Sequence, residues 1–147
     1  MARLRPARAL RRGATAVEFA LILPLVVVMF VGVLEYGWYF FTHSMVMRSA
    51  RMGCRAGAVV PTTGGMDPTA VAMSAMMDEM DDMSFSSVVC SAATPDPRCK
   101  GEVTLIGATP EMQISCAMDY DYGGITGLVP LPSRIQARAV LLLEFQP

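Results

Sequence analysis

Residues 14–41 read ATAVEFALILPLVVVMFVGVLEYGWYFF, and this stretch decides the fold. Residues 19–34 within it carry no charge. A helix rises about 1.5 Å per residue, so the stretch is long enough to cross a hydrocarbon core of roughly 30 Å. We therefore predict one membrane-spanning helix over residues 14–41. The stretch ends in a cluster of aromatic residues, which is typical of a membrane interface: Tyr36, Trp38, Tyr39, Phe40 and Phe41.

The residues before this stretch are basic. An excess of arginine on one side of a span predicts that this side is cytoplasmic, with the rest of the chain beyond the inner (cytoplasmic) membrane. Arg48, Arg51 and Arg55 beyond the span weaken the bias without reversing it. We therefore interpret residues 1–13 as a cytoplasmic leader. It contains five arginines and no acid: Arg3, Arg5, Arg8, Arg11 and Arg12.

An ordinary cleaved secretory signal does not fit. Such signals have an apolar region of roughly 7–15 residues with a small-residue cleavage site close behind it. The apolar run here is longer, and the first Ala-x-Ala after it, at residues 56–58, lies too far beyond its end.

Glu18 is the residue that a plain membrane anchor does not explain. A carboxylate in lipid costs on the order of a few kcal/mol near the membrane centre. One interpretation is an incidental interfacial acid; the other is an acid that pairs with a group of another chain. We interpret Glu35, at the far end of the uncharged part, as an interfacial residue.

The chain after Gly13 is acidic. It holds seven basic and thirteen acidic residues, a formal net charge of −6, against −1 for all 147 residues. An acidic exported domain does not predict nucleic-acid binding. We find no set of residues for nucleophilic or acid–base catalysis and no phosphate-binding loop, so the sequence predicts neither an enzyme nor a cofactor site.

Four cysteines follow the span, where disulfides persist: Cys54, Cys90, Cys99 and Cys116. Three pairings are possible, and the sequence does not choose between them. Cys90–Cys99 would close a proline-containing loop and leave Cys54–Cys116 to tie the long helix to the domain. A metal site is disfavoured, because no Cys-x-x-Cys pair is present and His43 is the only histidine.

The helix is predicted to continue outside the membrane over residues 42–60 and to end at Pro61. Val46, Ala50, Gly53 and Gly57 form a small apolar stripe at helical spacing, opposite a face of arginines. The two glycines permit a neighbouring backbone to approach closely. Pro24 removes a hydrogen bond and is expected to bend the helix or open it locally.

The exported domain, residues 61–147, begins with a loop and a second helix at about residues 69–83, capped by Asp67 or Thr69. Its last turn is acidic; we expect these acids to be solvated, with the arginine face as an alternative partner. Four segments read as strands: 85–90, 102–106, 112–118 and 135–145. We interpret residues 119–133 as a loop that opens with a turn. The prediction is an α+β fold with a long helix, a short helix and a small antiparallel sheet.

Residues 11–24, RRGATAVEFALILP, resemble the class III signal of type IV pilins and pseudopilins. More closely, they resemble TadE-like minor pilins of tight-adherence (Flp-type) pilus systems. Residues 48–58, RSARMGCRAGA, resemble the pattern that follows the span in that family. Major Flp pilins are very short and mostly helical, whereas this chain has an additional exported domain. The resemblance therefore favours a minor pilin or pseudopilin over the main fibre subunit.

The resemblance implies a pilin-like fold and a part in pilus assembly. A prepilin peptidase would cut after Gly13 on the cytoplasmic side and leave Ala14 as the new N-terminus. Glu18 would then pair with the N-terminal amine of a neighbouring subunit. The implied partners are the peptidase, other pilin and minor pilin subunits, the inner-membrane assembly platform and the lipid bilayer. The alternative is an uncleaved, signal-anchored adhesive or binding protein outside the cytoplasm.

Overall fold

The computed structural model describes residues 8–61, 65–83, 90, 96–108 and 112–143, with the backbone alone for 8–14 and 83. Two helices, α1 (Arg8–Ala58) and α2 (Pro68–Met83), precede three strands: β1 (Cys99–Ile106), β2 (Gln113–Asp121) and β3 (Arg134–Leu142). The strands form one antiparallel sheet in the order β1-β2-β3. The predicted α+β fold is confirmed. The leader residues 1–7 and, except for Cys90, the predicted strand 85–90 lie outside the described residues.

Helix α1 is 51 residues long and passes through Pro24 without interruption. Pro24 therefore does not end the helix, and the bend or local opening at this residue stays a prediction. Proline removes only one backbone donor, and propagation of a helix on both sides of that site is favourable once the helix is nucleated. The end of α1 at Ala58 agrees closely with the predicted stop before Pro61, and the amide of Val60 donates to the carbonyl of Gly57 at 3.3 Å.

The core lies between the helices and one face of the sheet. The C-terminal part of α1 packs against α2, β2 and β3, and α2 also contacts β1. Alternate residues of β2 point inward, as a strand with one buried face requires. The largest fully buried apolar side chains are Met76, Ile114, Met118, Ile135 and Val46.

The small stripe on α1 is where α2 approaches it. A Cβ atom at Gly53 would lie 2.6 Å from Cβ of Met76 and 2.7 Å from the carbonyl oxygen of Ala72. A Cβ atom at Gly57 would lie 2.8 Å from the carbonyl oxygen of Pro68. The close backbone approach predicted from the glycines is confirmed, and the neighbouring backbone belongs to the same chain.

Both ends of α2 are fixed by charged residues. Asp67 caps the N-terminus, since its Oδ1 accepts from the backbone N (2.9 Å) and Oγ1 (2.7 Å) of Thr69. These hydrogen bonds, the one from the Thr69 hydroxyl first, lower the pKa of Asp67. At the other end Nε of Arg48 lies 2.9 Å from Oε1 of Glu79. The expectation that the acidic turn is only solvated is therefore wrong for Glu79, because α1 packs alongside and brings Arg48 to it.

Strand β2 is longer than predicted. It continues through Tyr120 to Asp121, where we expected a turn. Gln136 donates from Nε2 to Oδ2 of Asp119 at 3.0 Å, and Arg134 donates from Nε to Oδ1 of Asp121 at 3.4 Å. The alternation of acids with tyrosines at residues 119–122 is a strand pattern, because acids on one face pair with β3 while tyrosines face the core side.

Two disulfides cross-link the exported part. Cys54 of α1 is bonded to Cys116 of β2, with a Cα–Cα distance of 5.6 Å. Cys90 is bonded to Cys99 at the start of β1, with a Cα–Cα distance of 5.8 Å. Of the three pairings that the sequence left open, the structure has the one in which Cys90–Cys99 closes a short loop and Cys54–Cys116 ties the long helix to β2.

Candidate functional site

The N-terminal part of α1 stands apart from the core. Every side chain from Thr15 to Phe30 is exposed, although most of them are large and apolar. The helix is long and apolar enough to cross a membrane, and none of its most apolar window is buried within the chain. Such a surface is stable only in lipid or against another apolar surface. One apolar N-terminal helix of this kind fits a single-pass membrane protein.

Gly13, Ala14 and Glu18 lie together on this helix. All three belong to α1, so that Glu18 is about 6 Å further along the axis than Ala14, a little over one turn. The side chain of Glu18 is exposed. The structure thus places the predicted processing and assembly residues on one continuous helical segment at the edge of the apolar surface.

Glu35 closes the uncharged stretch and is buried, with 1% of its surface exposed. A loop of the exported domain covers it. Oε1 accepts from the backbone amides of Thr126 and Gly127, both at 3.3 Å, and Oε2 accepts from the Thr126 hydroxyl. The sequence analysis assigned Glu35 only an interfacial position and missed this contact. We call residues 123–128 the Glu35 loop.

The backbone of the Glu35 loop is adapted to this contact. Gly127 has φ +68°, a conformation that side chains rarely adopt. A Cβ atom at Gly124 would lie 2.5 Å from Oε1 of Glu35, so that only glycine lets the chain approach so closely. The signal in the sequence is the glycine-rich run GGITG at residues 123–127, within the segment that the sequence predicts to be a loop.

Tyr122 connects the Glu35 loop to the core. Its ring packs edge-on against Tyr39 of α1 at a centroid distance of 5.4 Å, and its amide donates to the carbonyl of Ser133 at 2.8 Å. The hydroxyl is buried and has no hydrogen-bond partner among the described residues. Burial, and secondarily the negative charge of Glu35, raise the pKa of Tyr122.

These features define a class of protein: a long, exposed apolar helix at the N-terminus carries a small, disulfide-linked α+β domain on its C-terminal end. This arrangement is consistent with a pilin-type membrane protein. Residues 13–55 match the family described as TadE-like protein, which confirms the resemblance found in the sequence. The match runs from Gly13 to Arg55 and includes both Glu18 and Glu35. The match lies within α1 and does not extend into the small domain. No curated protein and no solved structure matches the chain.

Proposed function

We propose that this protein is a minor pilin or pseudopilin that takes part in assembling a tight-adherence type IV pilus. The observation that carries the proposal is the TadE-like match, which begins at Gly13 and includes Glu18 on the exposed apolar part of α1. A helix with this surface is suited first to lipid and then to packing among the helices of other subunits. Its partners are other pilin and minor pilin subunits and the assembly platform of the inner membrane.

The basic leader, residues 1–13, keeps the N-terminus cytoplasmic until a prepilin peptidase cuts after Gly13. The cut removes the five leader arginines and creates an ammonium group at Ala14. Because unpaired charges are costly in an apolar environment, the exposed carboxylate of Glu18 and the new ammonium of a neighbouring subunit stabilise each other when they pair. Cleavage therefore precedes this pairing, which sets the axial register between subunits.

The processing step is tested by co-expressing the chain with its cognate prepilin peptidase and sequencing the N-terminus of the membrane-extracted protein. We expect Ala14 as the first residue. Gly13→Asp should leave the precursor intact, whereas the control Gly32→Ala, in the same helix with nothing within 4 Å of its added Cβ, should be cleaved normally. An intact wild-type N-terminus would favour the uncleaved, signal-anchored adhesive or binding protein instead.

The assembly step is tested by complementing a strain that lacks the gene. Glu18→Ala should be cleaved like wild type and should still reduce the number of pili per cell, because the ammonium at Ala14 loses its partner. Val17→Ala, a truncation of the exposed neighbouring side chain, is the matched control and should restore piliation. Wild-type pilus numbers with Glu18→Ala would contradict the pairing.

A further inference from the structure

The Glu35 loop exposes two large apolar side chains. Ile125 is 61% exposed and Leu128 is 75% exposed. They flank Thr126 and Gly127, whose polar hydrogens are directed to Glu35. The hydrogen-bond donors of the loop therefore point inward to Glu35, and its large apolar side chains point outward. This is the reverse of an ordinary solvated loop.

The loop lies level with the end of the predicted span. Glu35 precedes Met45, the first α1 residue of the buried core, by ten residues, or about 15 Å along the helix axis. Ile125 and Thr126 line a groove with span-end residues, among them Val31, Leu34 and Trp38. The loop thus extends from the core towards the membrane, alongside the aromatic residues of the predicted interface.

The carboxylate of Glu35 needs the loop at the end of the predicted span. An ionised carboxylate accepts hydrogen bonds and donates none, so at the boundary of the hydrocarbon it needs donors in place of water. The loop supplies two backbone amides and a hydroxyl. With the carboxylate enclosed, the surface formed by Ile125, Leu128 and the neighbouring α1 side chains is continuous with the apolar span.

We propose that the Glu35 loop is a second membrane contact. Ile125 and Leu128 enter the interfacial layer of the lipid bilayer, and Glu35 is the positioning residue that holds the loop against α1 at that depth. The contact fixes the orientation of the exported domain over the membrane surface. This proposal rests on the membrane placement of α1 in the proposed function, and is independent of processing after Gly13.

The test measures tryptophan quenching in liposomes that contain brominated phosphatidylcholine. The chain has a single tryptophan, Trp38, which reports on the end of the span in the wild-type protein. The loop is probed with the double variants I125W/W38F and L128W/W38F. The control is M66W/W38F, because Met66 is also exposed but lies beyond the opposite end of the domain-packed part of α1.

We expect a loss of emission in both loop variants that is similar in size to the loss for wild-type Trp38, with little loss in M66W/W38F. Quenching of either loop variant clearly above the M66W/W38F control supports the contact. If Trp38 is quenched and neither loop variant is, the proposal is overturned while the membrane placement of α1 stands. Emission that is blue-shifted but unquenched shows burial against protein, such as a second copy, and also overturns it.

An unquenched Trp38 in the wild type would instead contradict the membrane placement of this part of α1, and with it the proposed function. Folding of each variant is checked by retention of both disulfides on a non-reducing gel.

The positioning role of Glu35 is tested by adding Glu35→Ala to L128W/W38F, where quenching of the loop tryptophan should fall by about half or more. Glu35→Ala in the wild type should leave Trp38 quenched. Undiminished quenching of the triple variant would overturn the role of Glu35.

Discussion

Glu35 is enclosed, although every other residue of α1 from 31 to 44 is exposed or half-buried. Its neighbours Leu34 and Tyr36 are exposed, because adjacent residues point to different sides of a helix and the Glu35 loop covers only one side. Glycines at the contact let the backbone amides come within hydrogen-bonding distance of the carboxylate. Glu35 therefore adds a contact between α1 and the domain outside the buried core.

The first stability prediction concerns the buried hydroxyl of a single residue, Tyr122. Its buried hydroxyl has no hydrogen-bond partner among the described residues, so it carries a desolvation cost that phenylalanine lacks. Tyr122→Phe keeps the edge-on packing against Tyr39 and should raise the free energy of unfolding by about 1 kcal/mol. The measurement is urea unfolding of the full chain in detergent micelles near pH 7.

The same variant gives a pH dependence. Because the folded state raises the pKa of Tyr122 above its ordinary value of 10.0, it favours the neutral phenol. The stability from this preference is fully present below pH 10 and is lost as the pH rises through the raised pKa. Wild type should therefore lose stability above pH 10 relative to Tyr122→Phe. A destabilised variant would show that the hydroxyl has a partner, and a difference independent of pH would show that folding does not raise the pKa of Tyr122.

At the scale of the elements, the contact between α1 and α2 depends on Gly53 and Gly57. At either position the Cβ atom of alanine would lie within 2.8 Å of atoms of α2. These atoms include backbone oxygens, which cannot move without displacing the helix. Overpacking costs about 1–3 kcal/mol, and the better helix propensity of alanine returns up to about 1 kcal/mol. We expect a net loss of about 1–2 kcal/mol for each variant in the same unfolding experiment.

Gly37→Ala is the matched control for this prediction. Gly37 lies in the same helix, but a Cβ atom there meets nothing within 4 Å. Gly37→Ala should leave the free energy of unfolding unchanged, or raise it slightly because alanine has the better helix propensity. If Gly53→Ala and Gly57→Ala behave like Gly37→Ala, the two helices can separate at no cost and the close approach does not limit stability.

The elements differ in how well the sequence predicted them, and the difference follows from the range of the interactions. The stripe of Val46, Ala50, Gly53 and Gly57 is local, and its spacing was enough to predict both the helix and the packed face. The strand through Tyr120 was interpreted as a turn, because its pairing with β3 is set by residues more than a dozen positions away. Propensity carries little information on such pairing.

Contacts that hold the whole molecule together are even harder to predict from local sequence patterns. The division into an apolar helix and an acidic, cysteine-containing domain was visible in charge and composition. The contact between Glu35 and Thr126 joins residues 91 positions apart, and the bond between Cys54 and Cys116 joins residues 62 apart. No local pattern encodes such contacts; they arise only when the sheet packs on α1. Both attach the domain to α1.

The last prediction compares the two disulfides as restraints on the whole chain. Chain entropy assigns about 4.3 kcal/mol to a cross-link spanning 62 residues, and about 2.6 kcal/mol to one spanning 9. The four sulfur atoms belong to buried residues, so that alanine leaves cavities of similar size at both sites. Cys54→Ala/Cys116→Ala should therefore destabilise the protein by about 1.7 kcal/mol more than Cys90→Ala/Cys99→Ala, measured by urea unfolding with the other disulfide intact. An equal or larger loss for Cys90→Ala/Cys99→Ala would mean that contacts between α1 and the sheet segments persist in the unfolded chain and already confine it.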